Sequence, residues 1–300
     1  MRKRLSRILI ETTVKKALKN IRHSPERSVR NLIDMALQFS DGRFQKYFFT
    51  EVRTMLQNEN SAYYQLIRDV ITHVDTEKLY TFGFNIGYNS CTEGAQRIRE
   101  NEKLKGCNIT WTICEEMDTE QFGRNQHKYD DMITEGENSG IYTWMFFVLN
   151  QPGKMFSLIE KHPESAFCIF CDTKDITPAF LEEAAMLQNL MVIVRYDENA
   201  ADVCTELRAN KMLYSVWYQY GQKDTDIIIN GDLFHNAQQL LPVFTVLIPE
   251  KTCPKEVHQV IYSKVKQTRL AQLYSTIAWD LKGDNRLIDT IISDDAFAIE

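Results

Sequence analysis

The residues of this chain best suited to chemistry are polar groups that fall just beyond strand-like apolar runs. They are Asn85, Tyr88, Asn89 and Cys91, then Glu115 and Glu116, Asp172, Arg195 and Asp197, and Gln219, with Tyr220 and Glu250 in equivalent places. In a barrel of parallel strands, ligands gather at the C-terminal ends of the strands. The recurrence therefore predicts a mouth in which carboxylates face an arginine. Such a mouth can bind a small polar or peptide ligand through charge-assisted hydrogen bonds. It can also serve a barrel enzyme, a lyase or hydrolase, using Glu115, Glu116 or Asp172 as acid or base. No nucleophile–base pair is identifiable.

Other chemistry-bearing motifs are weaker. Cys168 and Cys171 form a C-x-x-C within FCIFC, but residues three apart on a strand point to opposite faces, so the pair reads as two packed thiols. The six histidines include no H-x-H, H-E-x-x-H or zinc-type Cys/His spacing, and His235 and His258 read as surface or packing residues. Gly83, Gly87 and Gly94 match no phosphate-cradling pattern. No metal and no cofactor is expected.

The elements that must position these residues divide the chain in two. Residues 1–75 carry helical apolar stripes over about 5–22, 25–36, 44–57 and 61–73, an all-helical region. From residue 76 the pattern changes to strand-like runs near 80, 108, 165, 190, 214 and 242, most with helical runs between them. YTFGFNIG reads as the first strand, with Ser90-x-x-Glu93 as the capping box of the helix that follows. An acidic, polar insertion occupies about 116–140, a length common in lids and partner surfaces, and an apolar helix is expected over about 141–149. Tyr274–Asp280 and Leu287–Ser293, joined by Lys282-Gly283-Asp284-Asn285, read as a closing β-hairpin. Strand faces that are bulky on one side (Phe82, Phe84, Ile86; Ile109, Trp111, Ile113) and small on the other favour a barrel with a lumen over an open sheet. The fold class is α/β: a partial TIM-like (β/α)6 barrel over 76–300, an N-terminal all-helical region and a C-terminal β-hairpin.

With that layout the chain resembles the radical SAM partial barrel, most closely at FGFNIGYNSCTEGAQRIR. That family holds an iron–sulfur cluster on a C-x3-C-x2-C loop after its first strand. Here Cys91 stands alone, with Ala95 and Ile98 at the other two positions. The resemblance therefore implies a cluster-free relative, a ligand-binding or regulatory protein without radical chemistry.

Charge is uneven. Residues 1–30 hold ten Lys/Arg against Glu11 and Glu26, a balance of +8, which leaves −14 for the rest of a chain whose net charge is −6. A basic helical N-terminus can dock on nucleic acid or a partner. It lacks the interleaved aromatics of a nucleic-acid platform, so docking on an acidic body of its own chain or of a partner subunit is the stronger expectation. No apolar run approaches the length of a membrane span, and the start, MRKRLSRILIE, lacks the apolar stretch of a signal peptide. Seven scattered cysteines, an odd number, fit reduced thiols and a cytoplasmic setting. Oligomeric state is not legible, because no heptad pattern runs through the helical region.

Overall fold

A computed structural model describes residues 2–21, 23–39, 43–148 and 150–293. Four helices come first: α1 (Arg2–Ile21), α2 (Pro25–Phe39), α3 (Arg43–Met55) and α4 (Tyr63–His73). They coincide with the four amphipathic stripes. Next comes one long helical rod, made of α5 (Thr76–Phe84), a π-helical stretch Asn85–Gly94 and α6 (Ala95–Lys105). Asp75 caps it by accepting from the Glu77 and Lys78 amides, and Gly106 ends it at φ +67°.

The remainder alternates strand and helix: β1 (Thr112–Met117), α7 (Thr119–Ser139), β2 (Thr143–Val148), α8 (Phe156–Lys161), β3 (Ala166–Cys171), α9 (Pro178–Ala184) and β4 (Leu190–Arg195). It continues through α10 (Ala200–Ala209), β5 (Tyr214–Tyr220), α11 (Thr225–Ile229), α12 (Asp232–Ala237), β6 (Phe244–Pro249), α13 (Lys255–Ala271), β7 (Ile277–Asp280) and α14 (Leu281–Ile292). All seven strands are parallel and lie side by side in chain order, forming a curled half-barrel. Right-handed crossovers in that order place every connecting helix on one face. That convex face buries Trp144, Phe146, Phe167, Ile169 and Val192 under α7–α10, and Tyr220 and Leu247 under α11–α13. Each such side chain contributes about 1.5–3 kcal/mol of burial.

The concave face is closed by two other elements. The rod lies along the N-terminal rim of the strands and satisfies their entry loops in turn. Asp75 N donates to Lys211 O before β5, and Lys78 Nζ donates to the Ala185 and Leu187 carbonyls before β4. Asn85 Nδ2 donates to Pro163 O and Ser165 O before β3, and Ser90 Oγ accepts from Thr143 Oγ1 at the start of β2. Glu102 accepts from the Ile109 amide before β1. Helix α14 then crosses from β7 to β1, where Asp289 accepts from the Trp111 amide at 2.8 Å. Gly94 is required where the rod meets the end of α7: a Cβ there would lie 2.3 Å from the Gly140 carbonyl oxygen.

Several expectations are corrected. The run at 79–87 is helix rather than a first strand, and Ser90 caps no helix there; its hydroxyl meets Thr143 instead. The 116–140 segment is mostly helical, as α7, which Asp118 caps and which kinks at Asn125 (φ −127°, ψ 24°). Residues 143–148, expected helical, form the buried strand β2; Leu149 lies outside the described residues. The C-terminal hairpin is instead a strand and a helix, β7 and α14, because the Asp280 carboxylate accepts from Gly283 N and starts a helix at the KGDN turn. The concave face is not a small-lined lumen either. Small groups such as Cys114, Thr143, Ala166, Cys168 and Ser215 stand there, but Met145, Phe170, Met191, Ile193 and Trp217 fill most of it. Among the described residues no helix is long and apolar enough to cross a membrane.

Candidate functional site

The ten candidate residues fall at two opposite ends of the sheet. Asn85, Tyr88, Asn89 and Cys91 lie on the rod at the N-terminal rim. Asn89 Nδ2 donates to Asn85 Oδ1 (2.9 Å) and Glu164 O (2.8 Å), so both amides are spent on backbone and on each other. Tyr88 stacks on Phe84 at 5.0 Å, and Phe84 lies 5.7 Å from Tyr80. Arg7 of α1 sits 5.8 Å from the Phe84 and Tyr88 rings and pairs with Glu164, and Lys15 lies 4.5 Å from the Tyr80 ring. The basic helix therefore docks on aromatic and acidic groups of its own chain. Burial pushes the Cys91 thiol up to about 12. Because the first run is helical, these four residues stand away from the strand ends at which they were expected.

The other six stay at the C-terminal end, where the pairing register sorts them by face. Successive side chains on a strand alternate, so in-register residues on one face form rows across a parallel sheet. One concave row reads Glu116, Phe147, Phe170, Ile193. The row above it reads Arg195, Trp217, Val246, Trp279, with Asp172 extending β3 beside Arg195. Gln219 stands above Trp217, opposite Ile248. Glu115, opposite Phe146, turns to the convex side and is separated from Glu116 and Asp172.

The centre of the upper row is organised around Trp217. Its indole N–H donates to Cys171 O at 3.1 Å, which fixes the ring. The Arg195 guanidinium lies over that ring at 5.1 Å and touches the Asp172 carboxylate at 3.4 Å, while its side chain keeps 45% exposure. Lys174 reaches Asp172 at 3.7 Å. Asp197 is structural. It accepts from Thr173 Oγ1 (2.9 Å) and from the Asn199 amide (2.9 Å), tying the loops after β3 and β4 together. Phe147, Trp217, Ile248 and Trp279 remain only half-buried, in contrast to the closed layer beneath them. The arrangement offers an anchored aromatic floor, an accessible guanidinium and flanking carboxylates.

A second polar cluster stands at the ends of β5 and β7. Asp280 is fully buried and accepts from Tyr220 Oη (3.0 Å) and Gly283 N (2.6 Å), with His258 Nε2 at 3.1 Å. Asp284 binds Arg269 through both oxygens, at 2.7 and 3.0 Å. These bonds hold α13, β7 and α14 together, so His258, expected as a surface or packing residue, belongs to a structural network. Two cavities of about 390 and 160 Å³ lie among α2–α4, and their arginines are engaged, Arg30 with Tyr64, Arg53 with Asp34 and Arg68 with Glu26.

Trp217, Trp279 and Phe147 escaped the sequence reading because only strand register shows which aromatics share a row with Arg195. The alternation in YSVWYQY was the available signal for Trp217. The Cys168 and Cys171 thiols do point to opposite faces, one in the concave core and one in the convex core, and all seven cysteines are free thiols. Neither protein-family models nor curated protein sequences return a match to the chain.

Proposed function

We propose that the chain is a ligand-binding or regulatory protein whose site is the C-terminal mouth of the half-barrel, on a scaffold resembling the radical SAM partial barrel without its cluster. The observation that carries this reading is the row Asp172–Arg195–Trp217. A guanidinium held over an anchored indole at 5.1 Å and beside Asp172 is partly pre-organised, and its N–H groups match a carboxylate or phosphate. Half-exposed Phe147 and Trp279 supply apolar area for the rest of a small polar or peptide ligand, and Glu116 and Gln219 supply hydrogen-bonding groups at the edge. Cys91, on the opposite rim, takes no part.

The reading is tested by titrating the full chain with a panel of small carboxylates and short peptides while following tryptophan fluorescence and heat. At least one member is expected to bind and perturb Trp217 or Trp279. Arg195→Met should then weaken it at least tenfold, on the order of 1.4 kcal/mol. A panel with no binder, or binders indifferent to both Arg195→Met and Trp217→Phe, would sink the proposal.

A further inference from the structure

The half-barrel is not closed, so its sheet has two edge strands, β1 and β7. On β7, Ile277 N donates to Val243 O, which turns the backbone of Ile277 and Trp279 toward β6 and that of Ala278 and Asp280 outward. Side chains occupy that outer edge: Arg269 Nη1 donates to Ala278 O at 3.2 Å, and Asp280 N donates to Asp284 Oδ2 at 2.9 Å. Strand β1 differs. Ala166 N donates to Tyr142 O, so the even residues of β2 bond β3 and the odd ones bond β1. With Trp144 opposite Ile113 and Phe146 opposite Glu115, the residues of β1 that bond β2 are Ile113, Glu115 and Met117. Thr112, Cys114 and Glu116 turn their N–H and C=O groups outward. Thr110 Oγ1 takes up Thr112 O at 2.8 Å. Among the described residues nothing bonds the outward main-chain groups of Cys114 and Glu116, and Cys114, Glu115 and Glu116 are all exposed.

We propose that the outer edge of β1 is a docking site for a basic peptide segment, which adds to the sheet as a further parallel or antiparallel strand. Unpaired N–H and C=O groups on an exposed edge are a template for such a strand. The groups of Cys114 and Glu116 match an extended segment of about four residues.

Charge selects the occupant. Glu115 and Glu116 point to opposite faces of the sheet, so one carboxylate flanks the edge on the convex side and one on the concave side. A second copy pairing through the same edge would bring these carboxylates against their equivalents, and like charges directly opposite are destabilising. The glutamates therefore guard the edge against self-association. A strand carrying two consecutive basic residues places one beside each carboxylate, and opposite charges across a strand pair are favourable. The site uses main-chain groups of β1 and does not rest on the row Asp172–Arg195–Trp217.

The test follows fluorescence polarisation of a labelled, end-capped hexapeptide, VTKKTV, against the full chain. Saturable binding is expected. Replacing the lysine pair by glutamates should weaken it by about tenfold or more. Methylating the backbone nitrogen of both lysines, which keeps the charge and removes the N–H donors, should do the same to about the same extent. Glu115→Lys combined with Glu116→Lys, with the far-UV spectrum of the parent, should reverse the preference toward VTEETV. In residue-resolved hydrogen exchange the bound peptide should protect the Cys114 and Glu116 amides. Arg195→Met should leave binding intact, which separates failure here from failure at the mouth. No binding of VTKKTV, equal binding of its methylated form, unprotected Cys114 and Glu116 amides, or a dimer paired through β1 would overturn the proposal.

Discussion

Asp289 offers the sharpest energetic test of how the half-barrel is closed. Its carboxylate is 8% exposed and receives the Trp111 amide at 2.8 Å and the Thr110 hydroxyl at 3.2 Å, pinning α14 to the start of β1. Burial raises its pKa from 3.8 to about 6, and the nearby Glu102 adds to the rise, while the two hydrogen bonds only partly oppose it. A group whose folded pKa lies above its unfolded one stabilises fully below the unfolded value, and that stability is lost as pH rises through the folded value. At pH 7.5 the buried charge is therefore a liability of roughly 3 kcal/mol, from about 2 pH units at ~1.4 kcal/mol each.

Asp289→Asn removes the charge and keeps an oxygen for the Trp111 amide. It also resolves a conflict at Thr110, whose single hydroxyl proton is claimed by both Asp289 and Thr112 O. In the variant the hydroxyl donates to Thr112 O and accepts from the new amide. Losing one charge-assisted bond costs about 1 kcal/mol, so the net gain at pH 7.5 is about 2 kcal/mol. Urea unfolding of both proteins at pH 7.5, 6.0 and 4.5, followed by circular dichroism, reads it directly. The variant should be the more stable at pH 7.5, and its advantage should shrink as pH falls through 6. A variant less stable than the parent at pH 7.5, or an advantage independent of pH, refutes the reasoning.

Three further outcomes follow from the N-terminal rim. Asn85→Ala strips the Pro163 carbonyl of its donor and leaves the Asn89 amide without one of its acceptors; Ser165 O keeps its bond from Asn189. A loss of about 2–3 kcal/mol is expected in urea unfolding. Gly94→Ala forces a methyl against the Gly140 and Asn89 carbonyls, so it should cost more than Asn85→Ala and expose the rod to early proteolysis. His162 is 6% exposed; burial disfavours its charged form, but Glu137 and Asp130 outweigh that and raise its pKa above 6.5. The stability it contributes is complete below 6.5 and lost as pH rises through the raised folded value. Wild type should lose more stability than His162→Gln between pH 6 and 8, and parallel pH profiles would contradict this.

The helical stripes of α1–α4 and the strands β3–β6 were legible in the chain because each carries one unambiguous period between clear stops. Thr177-Pro178, for example, starts α9, with the Thr177 hydroxyl accepting from Phe180 N. The rod was misread because periods of two and four overlap. Tyr80, Phe84 and Tyr88 recur every fourth residue, so they satisfy strand alternation and also stack along a helix. Strand β2 was missed because TWMFFV is apolar on both faces, and a run buried on both sides has no period to read.

Sequence alone determined that parallel βα units follow a helical region and that charged groups end the strands. Tertiary structure decided which of those groups share a surface. Pairing register sets Arg195 beside Trp217 and Asp172, and it turns Glu115 away. The rod carries Asn85, Tyr88, Asn89 and Cys91 to the far rim. Helix α14 brings Asn285 onto Cys114 and Met145 across 140 residues or more of chain. Local pattern can fix a side chain's face on its own strand or helix, but row-mates are chosen by long-range pairing that no local pattern encodes.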